Sequence, residues 1–144
     1  MAQSILRVRD VMSRAVRTVG RNDQLALADQ LMKEERIRHL PVLDEDGIVC
    51  AVVSQRDLFR GALLRALGYG GRAEQSMLRQ VAVKEAMSED VHTTNPDTPL
   101  AEAARVMIER RIGCLPVVEN EKLVGILTET DVVRLVADGK LRPA

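Results

Sequence analysis

Two short motifs carry the chemistry that this chain could perform. Ser54-Gln55-Arg56-Asp57 and Thr128-Glu129-Thr130-Asp131 each place a hydroxyl three residues before a carboxylate, after an aliphatic run. In an S/T-x-x-D motif at a helix start, the hydroxyl caps backbone N–H groups and the carboxylate answers from the first turn. The same geometry suits a nucleotide. A helix N-terminus presents unpaired N–H groups and partial positive charge to a phosphate. The hydroxyl can donate to that phosphate, and an ionised aspartate, acceptor-only, can take both hydroxyls of a ribose. Capping and ligand binding are compatible.

The motifs belong to a larger duplication. Val8-Met12-Ser13-Val16-Thr18 recurs 75 positions later as Val83-Met87-Ser88-Val91-Thr93. The same shift carries Leu25, Ala28, Met32 and Leu40-Pro41-Val42 onto Leu100, Ala103, Met107 and Leu115-Pro116-Val117. One residue is then lost in a turn before the S/T-x-x-D motifs align. Each copy is too small to bury a good core alone, so the pair is expected to pack face to face around a cleft.

Each copy reads as strand, helix, strand, strand, helix. The expected fold is α/β (α+β), two pseudo-symmetric β-α-β-β-α repeats packed through their sheets. Repeat 1 spans 8–62, a helical connector 63–82, and repeat 2 83–138. Val16-Arg17-Thr18-Val19 is β-like, and Asp23 is the expected N-cap of a helix from Gln24 to about Arg36. In the second copy Thr98 caps and Pro99 takes the first helical position. His39–Leu43 is a strand, Asp44-Glu45-Asp46-Gly47 a hairpin turn, and Ile48–Val53 an apolar strand buried on both faces. The closing helix continues to about Leu67, Gly68-Tyr69-Gly70-Gly71 breaks it, and a helix is expected over Ala73–Val81. This connector reads as a linker, a hinge or a dimer surface.

Composition excludes several functions. Lys+Arg and Asp+Glu both total 21, so the basic excess of a nucleic-acid binder is missing. Phe59 and Tyr69 are the only phenyl-type rings, too few for stacking platforms. Cys50 and Cys114 sit in apolar runs without zinc spacing and read as core thiols of a reducing compartment. Neither His39 nor His92 sits with a carboxylate or cysteine at metal-ligand spacing in the sequence, so no metal is expected. There is no P-loop and no nucleophile–His pair, and an enzyme is not expected. No membrane-length apolar stretch or secretory leader is read, which points to the cytoplasm. Arg36, Arg38, Arg110 and Arg111 fall where cations favour helix C-termini.

The sequence V-x-[DE]-x-M, V-x-T, L-P-V, [GA]-[IV]-[LV]-[ST] and x-x-D, written twice, resembles a tandem cystathionine β-synthase (CBS) domain pair. The resemblance covers Val8 to about Ala137. It implies a regulatory module that binds an adenine nucleotide (AMP, ADP or ATP) or another adenosyl ligand in the cleft between repeats. It also implies a homodimer and signalling to a regulated protein in trans, no output domain lying within these residues. The resemblance assigns ribose binding to Asp57 and Asp131, and the phosphate side to Ser54 and Thr128, with Arg56 and Thr130 beside them. The adenine side matches Val16, Thr18, His39, Leu40 and Pro41 in one copy. In the other it matches Val91, Thr93, Cys114, Leu115 and Pro116. The copies differ where Arg38-His39 faces Gly113-Cys114, and the sequence pairs Arg38 and His39 with Asp131 and Thr128 as the stronger site. Ala51, standing where the second copy has Gly125, is expected to crowd a ligand lying on the backbone. The alternative is a structural or protein-interaction dimer without a working ligand site.

Overall fold

The computed structural model describes residues 5–66 and 78–140. The turn expected at Gly68–Gly71, the residue Leu67 and the first part of the helix expected from Ala73 lie outside them. Residues 78–80 are helical. In order come α1 (Val8–Val11), β1 (Val19–Gly20), α2 (Leu25–Glu35), β2 (His39–Leu43), β3 (Val49–Ser54) and α3 (Gln55–Ala66). A 3-10 turn at Val83–Glu85 precedes α4 (Leu100–Arg110), β4 (Cys114–Glu119), β5 (Lys122–Thr128) and α5 (Glu129–Ala137). This is the mixed α/β, two-repeat architecture expected.

The compact units do not follow the repeats. One, the central unit, is Arg17–Val91; the other, the C-terminal unit, joins residues up to Val16 with those from His92 onward. Each unit therefore combines the body of one copy with the opening segment of the other. Backbone hydrogen bonds fix the arrangement. In the C-terminal unit Ser13 N–H donates to Ile126 O and Ile126 N–H to Ser13 O, both at 2.9 Å. In the central unit Ser88 N–H donates to Val52 O at 2.9 Å and Val52 N–H returns the bond to Ser88 O at 3.1 Å. These are the same positions of the two copies.

The crossing explains Gly125. A Cβ there would stand 2.8 Å from Met12 Sδ and 2.9 Å from Ser13 O. Its counterpart Ala51 is fully buried within the central core. The expectation that this methyl crowds a ligand is therefore corrected: it faces packed protein, and glycine elsewhere admits the opening segment.

The helix starts also differ from expectation, for one reason in both copies. Asp23 does not cap α2; its carboxylate accepts from Gly20 N–H at 2.6 Å and closes the preceding turn. Gln24 is the N-cap and makes no side-chain bond. Instead Leu25 N–H donates to Val81 O at 2.8 Å, and Leu100 N–H donates to Leu6 O at 2.8 Å. A backbone carbonyl just ahead of each opening segment thus satisfies the first helical N–H that a side chain would otherwise serve. Pro99 sits at the N-cap, not at the first helical position, and Thr98 makes no side-chain cap.

The apolar stripes face inward as their spacing requires. Leu25, Ala28 and Met32 of α2 pack with Leu40, Val42 and Val53 of β2 and β3. Leu100, Ala103 and Met107 of α4 pack with Leu115, Val117 and Leu127. Strand β1 is shorter than Val16–Val19 and pairs parallel with β2 through Val19–Val42 and Gly20–Leu43. In the other unit only the Thr94–Val117 bridge takes that place. β3 alternates between buried Ala51 and Val53 and half-buried Cys50 and Val52, and Ile48, just ahead of it, is exposed. Asp44 closes the first hairpin by accepting from Asp46 and Ile48 N–H. The second hairpin turns on Asn120 and Glu121, at φ 52° and 67°. Both helices that enter β2 and β4 end on arginine, Arg36 and Arg111, each at φ 55°.

Gly125→Ala is expected to lower stability by about 1–3 kcal/mol through overpacking against Met12 and Ser13. Urea denaturation measures it. An unchanged midpoint would mean that the opening segment does not cross β5.

Candidate functional site

Both S/T-x-x-D motifs form where a strand hands over to a helix. In the central unit, Asp57 N–H donates to Ser54 Oγ at 3.1 Å and Ser54 N–H donates to Asp57 Oδ2 at 2.8 Å. In the C-terminal unit, Asp131 N–H donates to Thr128 Oγ1 at 3.3 Å and Thr128 N–H donates to Asp131 Oδ2 at 2.9 Å. Both are reciprocal capping boxes. What they leave over matters more. Each hydroxyl is used as an acceptor, so its own proton is available to donate. Each carboxylate commits Oδ2, and Oδ1 has no hydrogen bond among the described residues. All four residues are half-buried. The side chains are therefore held in place by the backbone while keeping one donor and one acceptor each for a ligand.

The residues beside the two boxes differ in charge. His39 lies opposite Ser54 in the β2–β3 ladder, and Gln55 N–H donates to Arg38 O at 2.8 Å. Cys114 lies opposite Thr128, and Glu129 N–H donates to Gly113 O at 3.1 Å. The fold thus brings Arg38 and His39 to the end of the central unit that carries Ser54 and Asp57. It brings Gly113 and Cys114 to the matching end of the C-terminal unit, with Thr128 and Asp131. Arg56 and Thr130 are exposed in the first turns of α3 and α5.

Burial, and secondarily the carboxylate of Glu129, pushes the Cys114 thiol up to about 12. Cys50 is also raised, by burial first and then by Asp44. Neither thiol is poised as a nucleophile.

The positions matched to an adenine side separate by exposure. Pro41, Leu40, Leu115 and Pro116 are fully buried and Cys114 is buried, so their side chains serve packing. Val16, Thr18 and Val91 are half-buried and Thr93 is exposed. Val16 falls in the C-terminal unit and Val91 in the central one, each away from the body of its own copy. Thr93 and Leu115 line a separate cavity of about 480 Å³. Sequence reasoning missed Ser13 and Ser88, which pair with strand residues two positions before Thr128 and Ser54. Their signal was present, as a Met-Ser pair written in both copies. No cluster of three metal-ligating side chains occurs among the described residues, and no described helix is long and apolar enough to cross a membrane.

Comparison with known proteins gives this arrangement a family. The CBS domain model matches residues 8–63 and 83–138. The chain is 32% identical over 124 residues to the CBS domain-containing protein YhcV of Bacillus subtilis, covering 86% of this chain and 81% of that protein. It is 33% identical over 130 residues to a homoserine O-acetyltransferase of Methanococcoides burtonii, covering 90% of this chain. The chain spans only 24% of that enzyme's length, so the likeness reaches its CBS region and not its acetyltransferase activity. Among solved structures, the CBS domain pair of protein MJ0100 in complex with 5′-methylthioadenosine and S-adenosyl-L-methionine superposes with a TM-score of 0.76 at 27% identity, covering 96% of this chain and 100% of that one. CBSX2 in complex with AMP superposes at 0.73 with 30% identity, covering 94% and 98%.

A thiol raised on folding contributes stability that is complete below the unfolded value of 9.0 and is lost as pH rises toward about 12. Cys114→Ala should flatten the fall in stability over that window, measured by denaturation at stepped pH. An unaltered slope would place the thiol in water.

Proposed function

The chain belongs to the CBS domain family, and from that premise we propose that it is a regulatory sensor of an adenosyl ligand. The reading rests on one observation: two capping boxes that each keep a hydroxyl proton and a carboxylate oxygen for a guest. In this reading Asp57 and Asp131 accept from ribose hydroxyls, while Ser54 and Thr128 and the helix N-terminal N–H groups face the 5′ side. Ligands of that class occupy the MJ0100 and CBSX2 structures.

Charge ranks the two sites. Arg38 and His39 share an end of the central unit with Ser54 and Asp57, so that site suits an anionic 5′ group. The sequence had set Arg38 and His39 against Asp131 and Thr128; the pairing within one unit replaces that assignment in our proposal. The Thr128–Asp131 end, with Gly113 and a neutral Cys114 beside it, suits an adenosyl compound without phosphate. The module senses and does no chemistry of its own, acts in the cytoplasm, and passes its state to a regulated protein in trans.

A second reading has its own support. Phe59 is 61% exposed on α3, and Val133 and Val136 are 65% and 56% exposed on α5. Such apolar side chains on helices fit homodimer contacts. A dimer accompanies the sensor role and would be the whole function if no ligand binds.

Thermal shift and calorimetry with AMP, ADP, ATP, NAD, S-adenosylmethionine and 5′-methylthioadenosine test the proposal. A ligand at 100 times its Kd adds about 2.7 kcal/mol, which raises the melting temperature by roughly 5–10 °C. Asp57→Ala should weaken AMP or ATP by about tenfold or more, the loss of a charge-assisted hydrogen bond. Arg38→Ala should weaken AMP and leave 5′-methylthioadenosine unchanged. No shift with any of the six would leave only the dimer.

A further inference from the structure

The crossing segments bring one more side chain to each box. Ser13 and Ile126 exchange both backbone bonds, as do Ser88 and Val52, so each serine stands directly opposite a strand residue two positions before the box hydroxyl. Directly opposed residues of an antiparallel pair project to the same face, and so do residues two apart on one strand. Ser13 therefore shares a face with Ile126 and Thr128 of the C-terminal unit. Ser88 shares one with Val52 and Ser54 of the central unit. The intervening Leu127 and Val53 point the other way and are fully buried in their cores. Met12 and Met87, the residues just before the two serines, pack on the core side as well.

Both serines are exposed, and neither side chain makes a hydrogen bond among the described residues. The ladder bonds use backbone atoms alone, so the crossing itself asks nothing of the hydroxyls. The backbone at each serine is nevertheless held from both directions, by one bond given and one received. Each unit thus carries a fixed, unengaged hydroxyl on the same sheet face as its box.

The direction of the strands decides which part of a guest these hydroxyls would meet. In the adenosyl reading the diol lies on Asp57 or Asp131, and the 5′ substituent faces the box hydroxyl and the helix N–H groups. Base and 5′ substituent leave a ribose at opposite ends. The base therefore lies away from the helix start, back along β3 or β5. Two residues of extended strand span about 7 Å, which puts Val52 and Ile126, with the serines opposite them, on the base side. A heterocycle takes apolar contact on its faces and hydrogen bonds at its edge, and a hydroxyl can both donate and accept there.

We infer, on the footing of the adenosyl reading, that Ser88 and Ser13 are base-side ligand contacts. Ser88 serves the Ser54–Asp57 site and Ser13 the Thr128–Asp131 site. Each site is then composite: its ribose and 5′ groups come from one copy, and its base-side hydroxyl comes from the opening segment of the other. A single copy on its own would lack one of the three.

Calorimetry on the full chain with AMP, adenosine and 5′-methylthioadenosine tests this. A ligand that Asp57→Ala weakens should also be weakened by Ser88→Ala, and one that Asp131→Ala weakens should be weakened by Ser13→Ala. Each serine-to-alanine change should raise Kd by about threefold to tenfold, the loss of one neutral hydrogen bond. Ser88→Thr and Ser13→Thr, which keep the hydroxyl, should bind as the original chain does. Melting temperatures without ligand should stay within about 2 °C, because the ladder bonds remain. Ser88→Ala should cost the same factor with AMP and with adenosine, which share the base and differ in the phosphate. A loss confined to AMP would put the hydroxyl on the phosphate side and overturn the inference. So would alanine variants that bind normally, or a Ser13 effect that tracks Asp57; in those cases the adenosyl reading stands and only this inference falls. An original chain that binds none of the three compounds overturns both.

Discussion

Two pairs of backbone hydrogen bonds, Ser13 with Ile126 and Ser88 with Val52, decide how this chain is assembled. They lay the opening segment of each copy along the last strand of the other copy's body. The consequences run outward from there. Gly125 has to lack a side chain because Met12 and Ser13 cross it. The carbonyls of Leu6 and Val81 stand where they accept from Leu100 and Leu25, so α4 and α2 start without side-chain caps. A helix end that is capped by a distant carbonyl is coupled to its unit, because that partner arrives only when the opening segment docks.

The same constraint holds the functional groups still. Ile126 is two residues before Thr128, and Val52 two before Ser54. Each S/T-x-x-D box is therefore anchored on one side by its own reciprocal hydrogen bonds and on the other by the crossing segment. A side chain fixed in this way loses little rotamer freedom when it meets a ligand, which favours binding. The cap uses Oδ2 and a hydroxyl lone pair, which leaves Oδ1 and the hydroxyl proton outside it. The difference between the two boxes lies in their neighbours, Arg38 and His39 in one unit and Gly113 and a protonated Cys114 in the other.

Duplication allowed the copies to diverge by position. Where the first copy packs Val19 and Leu31 into its core, the second has Thr94 and Val106 along an open groove. One fold written twice keeps a packed core in each half and differs at the surface, where side chains are free to change.

Much of this was legible in the residues alone. The repeat, the α/β order, the inward stripes at Leu25, Ala28 and Met32, and the hydroxyl–carboxylate pairs are local patterns, and local patterns are set by backbone period and capping chemistry. The helix starts at Asp23 and Thr98 differ from the local reading because a carbonyl 58 or 92 positions away, on Val81 or Leu6, supplies what the nearest side chain could have given. The reason for Gly125, the partner of Ser13, and the company that Arg38 and His39 keep all depend on which segment lies against which strand. Hydrogen bonding between distant backbone groups carries no side-chain signature, so only the folded chain could reveal it.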